Sequence, residues 1–319
     1  MPPLDFGGRV GLERILPRGV KPYRHLVFDS RECPLCLIYS RSELFGGKVG
    51  AGDALRVLWK LGRTQAFVES FRLQALQMPR IMKGIKGVKD RLNRVMLREA
   101  RNIGFRSYSD LISKMAIANG VDWRIPGYEL DVGSLSSMSA GLVAIGRSLA
   151  ELASLVEESQ SIYVGLDNAG EAVIDILGAS WLAERGHDVV VVARSEPYEV
   201  DVTHGEAIAL AEALGVGDDK LRIIGTGSMY PPLYRGGLAG EAQRALERAD
   251  LIIGKGIGNL EAALETLDQK LLSRTLSLLR AKCTPLSRIA GGRGVAVATL
   301  AADFLKTLNT PGYRMHSRV

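Results

Sequence analysis

Cysteine is scarce: three in 319 residues, an odd number, do not make a disulfide framework. No apolar run reaches the roughly 18 residues that a membrane span needs. The first nineteen residues, MPPLDFGGRVGLERILPRG, lack the basic-then-apolar pattern of a secretory signal. These absences lead us to expect a cytoplasmic chain with no membrane partner. There is no internal repeat and no low-complexity segment. The composition is that of a soluble globular protein, 46% apolar and 24% charged, long enough for one large domain or two modest ones.

Charge is unevenly placed. The net charge is +6, yet Lys60 to Arg106 holds twelve Lys/Arg against three Asp/Glu, a local +9 that leaves about −3 for the rest. A basic segment can attract nucleic acid or phosphorylated ligands. Aromatic residues there, such as Phe67 and Phe71, are too few for stacking platforms. Apolar residues between the charges recur at helical spacing, so a solvated helical face is the expectation and nucleic acid is not the expected partner.

Two regions differ in grammar. Residues 1–155 read as a mainly helical N-terminal domain. LRVLWKLGRTQAFVESFRLQALQM and VKDRLNRVMLREARNIG carry apolar residues three and four apart. YSDLISKMAIANGVDW suggests a helix capped by Ser109. VGSLSSMSAGLVAIGRSLAELASLVEES reads as a small-residue helical stretch or pair. Residues 156–319 read as an α/β domain. SIYVGL, DVVVVAR, LRIIGTG and DLIIGKG are strands; GEAVIDILGASWLAERG, GEAIALAEALG and EAQRALERA are helices, the first striped by Val173, Leu177 and Trp181. TLSLLRAK is open between strand and helix, and VAVATL is a candidate last strand. Such alternation predicts a parallel sheet flanked by helices.

In open α/β sheets, ligands gather at the carboxyl ends of the strands. Those ends carry Asp167 and Asn168; then Asp201, Thr203 and His204; then Gly225 to Ser228; then Lys255, Asn259 and Glu261. Two carboxylates and an amide oxygen are hard ligands suited to Mg²⁺ or Mn²⁺. GTGS and GKG let backbone approach a phosphate closely, and Lys255 between Gly254 and Gly256 adds a point charge. A metal, a lysine and open amides together suit phosphoryl transfer or phosphate hydrolysis. Each residue also has a plainer explanation. Asp167–Asn168 can cap a helix, the glycines can be ordinary turns, His204 can be a loop residue, and Lys255 can be a surface lysine. The functional reading rests on four strand ends coinciding.

At these residues the sequence resembles the DUF89 family of metal-dependent damage-control phosphatases. The matching segments are LDNAGEAVIDILGASWLAERGHDVVVVAR, VDVTHGEA, ADLIIGKGIGNLE and LLRAKC, in the family's order over most of residues 160–290. AIANGVDW and CPLC resemble the helical part of the first, CxxC-containing subfamily. The resemblance implies a Rossmann-like three-layer α/β/α domain beside an N-terminal helical domain. It also implies a divalent cation (Mg, Mn, Co or Ni) held at Asp167, Asn168 and Asp201. The implied activity is removal of phosphate from small phosphorylated metabolites, such as sugar phosphates or phosphopantetheine-like compounds, some of them damaged forms. Two departures bear on the contacts behind the ligands and on the pocket: Val200 stands where the family often has Asn, and Ile257–Gly258 where it often has Gln.

The chemistry leaves two routes: Asp167 or Asp201 as nucleophile, or water activated by the metal. Lys255 and the glycine-loop amides of Gly225, Gly227, Ser228 and Gly256 would stabilise phosphoryl charge in either case. Glu171, one turn from Asp167, could orient water or serve as helix-N-terminal charge. Asn259 joins the substrate contacts, and the resemblance suggests that Asn119 and Asp122 bring the helical region to the site. Cys33 and Cys36 have metal-ligand spacing, with Cys283 a candidate third, but a reduced or redox-sensitive pair fits a cytoplasmic chain as well. A Rossmann methyltransferase or nucleotide-binding enzyme is the alternative, although LDNAGEA is not the glycine fingerprint such enzymes carry. The sequence leaves an oligomer open.

Overall fold

A computed structural model describes residues 78–121 and 141–309, apart from 218, 220 and 267. The CPLC segment, Asp122 and the first of the expected basic helices lie outside these residues. Seven strands form one sheet: β1 (Leu142–Ile145), β2 (Ser161–Gly165), β3 (Asp188–Ala193), β4 (Leu221–Gly225), β5 (Leu251–Lys255), β6 (Thr275–Arg280) and β7 (Ala296–Leu300). Their order is β1-β7-β6-β5-β2-β3-β4.

The helices are α1 (Met78–Ala100), α2 (Tyr108–Ala118), α3 (Leu149–Glu158), α4 (Glu171–Ala183), α5 (His204–Leu214) and α6 (Gly240–Arg248). Then come α7 (Gly256–Thr266), α8 (Gln269–Ser273), α9 (Thr284–Ala290) and α10 (Ala301–Asn309). Alternating strand residues feed two separate cores. Ile162, Val164, Val189, Val191 and Ile253 pack with α1 to α5 on one face. Tyr163, Val190, Val192 and Ile252 pack with α6, α7, α8 and α10 on the other. Both faces of the strands are therefore covered, which is why DVVVVA shows no alternation of apolar and polar residues. The architecture is the expected three-layer α/β/α.

Three expectations need correction. The sheet is not wholly parallel: β7 runs antiparallel to β6, and β1 lies parallel to β7. Residues 281–295, which include the seven-residue α9, join the end of β6 to β7. LVAI at residues 142–145, expected within a helix, is the edge strand β1. Gly146, at φ 82°, ends it, and Ser148 with Glu151 then forms the capping box of α3. Helix α2 is capped by Ser107, not Ser109: the Ser107 hydroxyl accepts from Asp110 N at 3.2 Å.

The boundary expected near residue 156 falls inside the connected sheet, because β1 precedes it. Helices α1 and α2 also pack directly on α4. Gly178 permits the α2 approach, since a Cβ there would lie 2.9 Å from Leu111 Cδ1. On α1, Lys86, Arg91, Arg94 and Arg98 are exposed, whereas Lys89 is buried and pairs with Glu206 at 2.6 Å. Among the described residues, no helix is long and apolar enough to cross a membrane.

Candidate active site

Strands β5, β2 and β3 are neighbours and parallel, so their carboxyl ends share one edge. The chain leaves β2 after Gly165 because residues 167–169 pair with residues 200–202. Asn168 and Asp201 form an isolated antiparallel bridge, with Ala169 N donating to Val200 O and Val202 N to Asp167 O, both at 2.8 Å. The segments carrying Asp167, Asn168 and Asp201 are thus paired backbone to backbone. The plainer capping explanation does not hold, because the N-cap of α4 is Gly170, with no side chain to cap. Glu199, at φ 44°, lies in the left-handed region that L-residues seldom adopt, in the turn that Asp201 N closes onto Tyr198 O at 3.0 Å. Such strain concentrates at functional loops.

Asp167 is half-buried. Its Oδ2 accepts from Asn119 Nδ2 at 3.2 Å and from Asn168 Nδ2 at 3.3 Å. It also lies against Gly256, the first residue of α7: a Cβ there would stand 1.7 Å from Asp167 Oδ2. The N-terminus of α7 carries partial positive charge towards this carboxylate. Asp201 is buried, and its Oδ2 accepts from Arg194 Nε. Arg194 is held in turn by Met229 O, which accepts from Nη1, and by the Tyr198 ring, 4.5 Å from the guanidinium carbon. On the outer side, α1 supplies Asn93, whose Oδ1 accepts from Gly170 N at 2.6 Å.

Lys255 is not placed as expected. Its ammonium does not face open space between two glycines; the side chain is wholly buried and lies 3.1 Å from Glu171 Oε2 and 2.9 Å from Asp175 Oδ1, and it donates to Met115 O. The cause is α2, which packs on β6 and β7 and brings Met115 O onto the ammonium. Glu171 is equally buried and committed, accepting from Asn168 N at 3.1 Å and from Asn119 Nδ2 at 2.9 Å. Asn119, the C-cap of α2, also accepts from Arg280 N at 2.8 Å, so α2 does reach the site.

Asn259 serves backbone: Nδ2 donates to Leu166 O and Lys255 O, and Oδ1 accepts from Leu233 N. The GTGS segment begins at the last residue of edge strand β4 and continues into the loop after it, and its amides bond within its own neighbourhood. Gly227 N donates to Ser195 Oγ and Ser228 N to Thr226 Oγ1, while the Ser228 hydroxyl donates to Gly237 O. Gly225 ends β4 with Ser195 Oγ and His204 close by.

Asp175, Arg194 and Asn93 are members of this arrangement that sequence reasoning missed. Asp175 had a visible signal, four residues after Glu171 on the same helix face. Burial lifts the Asp175 carboxyl from its ordinary 3.8 to about 7, with Glu171 adding to the rise and Lys255 opposing it. Between about pH 4 and 7 the folded chain therefore holds a proton that the unfolded chain has released. This group's support for the fold is full below pH 4 and is lost as pH rises through 7. Urea unfolding from pH 5 to 8 should find the wild type losing stability relative to Asp175→Asn, by an amount on the order of a few kcal/mol.

Residues 83–297 match the damage-control phosphatase ARMT1-like domain. The chain belongs to this family. A damage-control phosphatase of Archaeoglobus fulgidus is 30% identical over 177 residues, covering 55% of this chain and 58% of that protein. A damage-control phosphatase of Pyrococcus horikoshii is 31% identical over 140 residues, 43% of this chain and 45% of that protein. The chain thus matches about half the length of these relatives. A crystal structure of a DUF89 family protein from Pyrococcus horikoshii superposes with a TM-score of 0.61 at 20% identity, covering 84% of this chain and 97% of that one. It shares the fold. Among the described residues, no three or more His, Cys, Asp or Glu side chains are arranged to hold a metal ion. The candidate set in this damage-control phosphatase domain is smaller, two carboxylates and one amide.

Proposed function

We propose that this damage-control phosphatase family member hydrolyses phosphate monoesters of small metabolites, sugar phosphates or phosphopantetheine-like compounds, using a divalent cation. The observation that supports the reading is the Asn168–Asp201 backbone bridge, which holds the segments carrying Asp167, Asn168 and Asp201 next to one another at the sheet edge. Hard oxygen donors suit Mg²⁺ and Mn²⁺, and Co²⁺ or Ni²⁺ can occupy such sites. The donor chemistry therefore fits a divalent ion. Within the group just described, three carboxylates (Asp167, Glu171, Asp201), besides the partly protonated Asp175, meet two cations (Arg194, Lys255), so added positive charge is of the sign the cluster favours.

When bound, such an ion supplies Lewis-acid stabilisation of phosphoryl oxygens. The residues themselves have separable tasks. Arg194 aims Asp201, and Asn119 aims Asp167. The α7 N-terminus offers positive potential beside the same carboxylate. Lys255 and Glu171 act from behind as a support, not as contacts to phosphate, because both are sealed from solvent. No observation favours a methyl-donor or dinucleotide enzyme.

The test is Mn²⁺-dependent turnover of an aryl phosphate by wild type and Asp201→Asn, with Mn²⁺ affinity measured by calorimetry. Asp201→Asn is expected to lose roughly 10²–10³-fold in kcat/KM, the several kcal/mol a Lewis acid contributes, together with metal affinity. Unchanged metal affinity in that variant removes Asp201 from the ligand set.

A further inference from the structure

We propose that Asp175 is a positioning residue for the site, acting through Lys255 and Glu171 without touching Asp167, Asn168 or Asp201. A continuous buried path runs from it. Asp175 Oδ1 stands 2.9 Å from Lys255 Nζ, which stands 3.1 Å from Glu171 Oε2. Glu171 Oε1 then holds Asn168 N at 3.1 Å and Asn119 Nδ2 at 2.9 Å. Asn119 finishes the path at both ends, with Nδ2 reaching Asp167 Oδ2 at 3.2 Å and Oδ1 accepting from Arg280 N at 2.8 Å.

An ammonium has three N–H donors. Lys255 directs two of them at Met115 O and Glu171 Oε2 and ion-pairs with Asp175 at 2.9 Å, so its position is set by three groups taken from α2 and α4. Asp175 is the member with no other occupation. It is fully buried, and apart from the ion pair neither oxygen accepts a directed hydrogen bond. Burying a carboxylate so sparsely partnered costs stability, and an apolar side chain of similar volume would pack at least as well. What Asp175 adds is aim: it fixes the ammonium that fixes Glu171, and Glu171 fixes the turn carrying Asp167 and Asn168. The consequence for metal binding rests on the function proposed above; the buried path does not.

Hydrogen exchange followed by NMR on the full chain reads the path directly, through the amides of Asn168 and Arg280. In Asp175→Leu these two should exchange at least about tenfold faster, relative to the core amide of Val191. Asp175→Asn retains an acceptor for Lys255 and should restore most of the protection. Asp175→Ala replaces the leucine variant if that chain does not fold. Mn²⁺ affinity, measured by calorimetry on the same proteins, should weaken about tenfold in the leucine variant, as for loss of a group supporting a ligand. Exchange that rises equally at Val191, or stays unchanged at Asn168 and Arg280, overturns the positioning role. A local rise in a protein whose wild type binds no Mn²⁺ keeps the positioning role and sinks the metal site.

Discussion

Lys255→Met is expected to destabilise the fold by about 3–5 kcal/mol, the range for removing one partner of a buried ion pair. The ammonium is fully buried between Glu171 and Asp175, so its loss leaves two carboxylates in the interior facing each other. Methionine fills most of the volume, so the penalty is electrostatic and not a cavity effect. Urea unfolding at pH 7 measures it. Adding Asp175→Leu should recover part of the loss, because one of the two stranded carboxyl groups is then gone. A lysine reaching substrate phosphate would behave differently: stability would hold while kcat/KM alone fell. That pattern would mean the ammonium leaves its carboxylates and reaches the site.

Gly256→Ala is expected to lower kcat/KM by roughly 10²-fold or more, the cost of displacing a reacting group by about 1 Å. Gly256 stands at φ 70°, where an L side chain is strained, and its Cβ would lie 1.7 Å from Asp167 Oδ2. Asp167 must move, because the glycine backbone is locked between β5 and α7. Gly291→Ala is the control. Gly291 has nearly the same φ, 76°, but nothing within 4 Å of the added Cβ. It should cost stability of about 1–2 kcal/mol from backbone strain and leave turnover intact. Equal activity losses in the two variants would show that strain, not contact with Asp167, is responsible.

The sequence carried the strand–helix alternation and the strand-end chemistry because both are local. DVVVVA is a buried strand by composition, and LDNAGEA ends a strand on polar side chains whatever surrounds it. Strand direction is not local. Nothing in VAVATL says that β7 runs against β6; only the pairing of Leu276 with Leu300 and Arg280 with Ala296 shows it. LVAI was hidden in a run of small residues that a helix also tolerates, and only its place beside β7 decides it.

The fate of Lys255 was hidden for a similar reason. The glycines beside it suggested access, but access depends on α2, whose Met115 lies 140 residues earlier in the chain. Asn259 looked like a phosphate contact by position and is instead used by three backbone groups. Arg194 could have been noticed as the first residue beyond a buried strand, seven before Asp201, but its direction depends on the fold of the loop between them.

The measurement that tests the central claim most directly is anomalous diffraction from crystals of the protein grown with Mn²⁺. One peak bounded by side-chain oxygens of Asp167, Asn168 and Asp201, at the carboxyl ends of β2 and β3, is the predicted result. A peak bound elsewhere, or these three side chains turned away from one another with no ion between them, would contradict it.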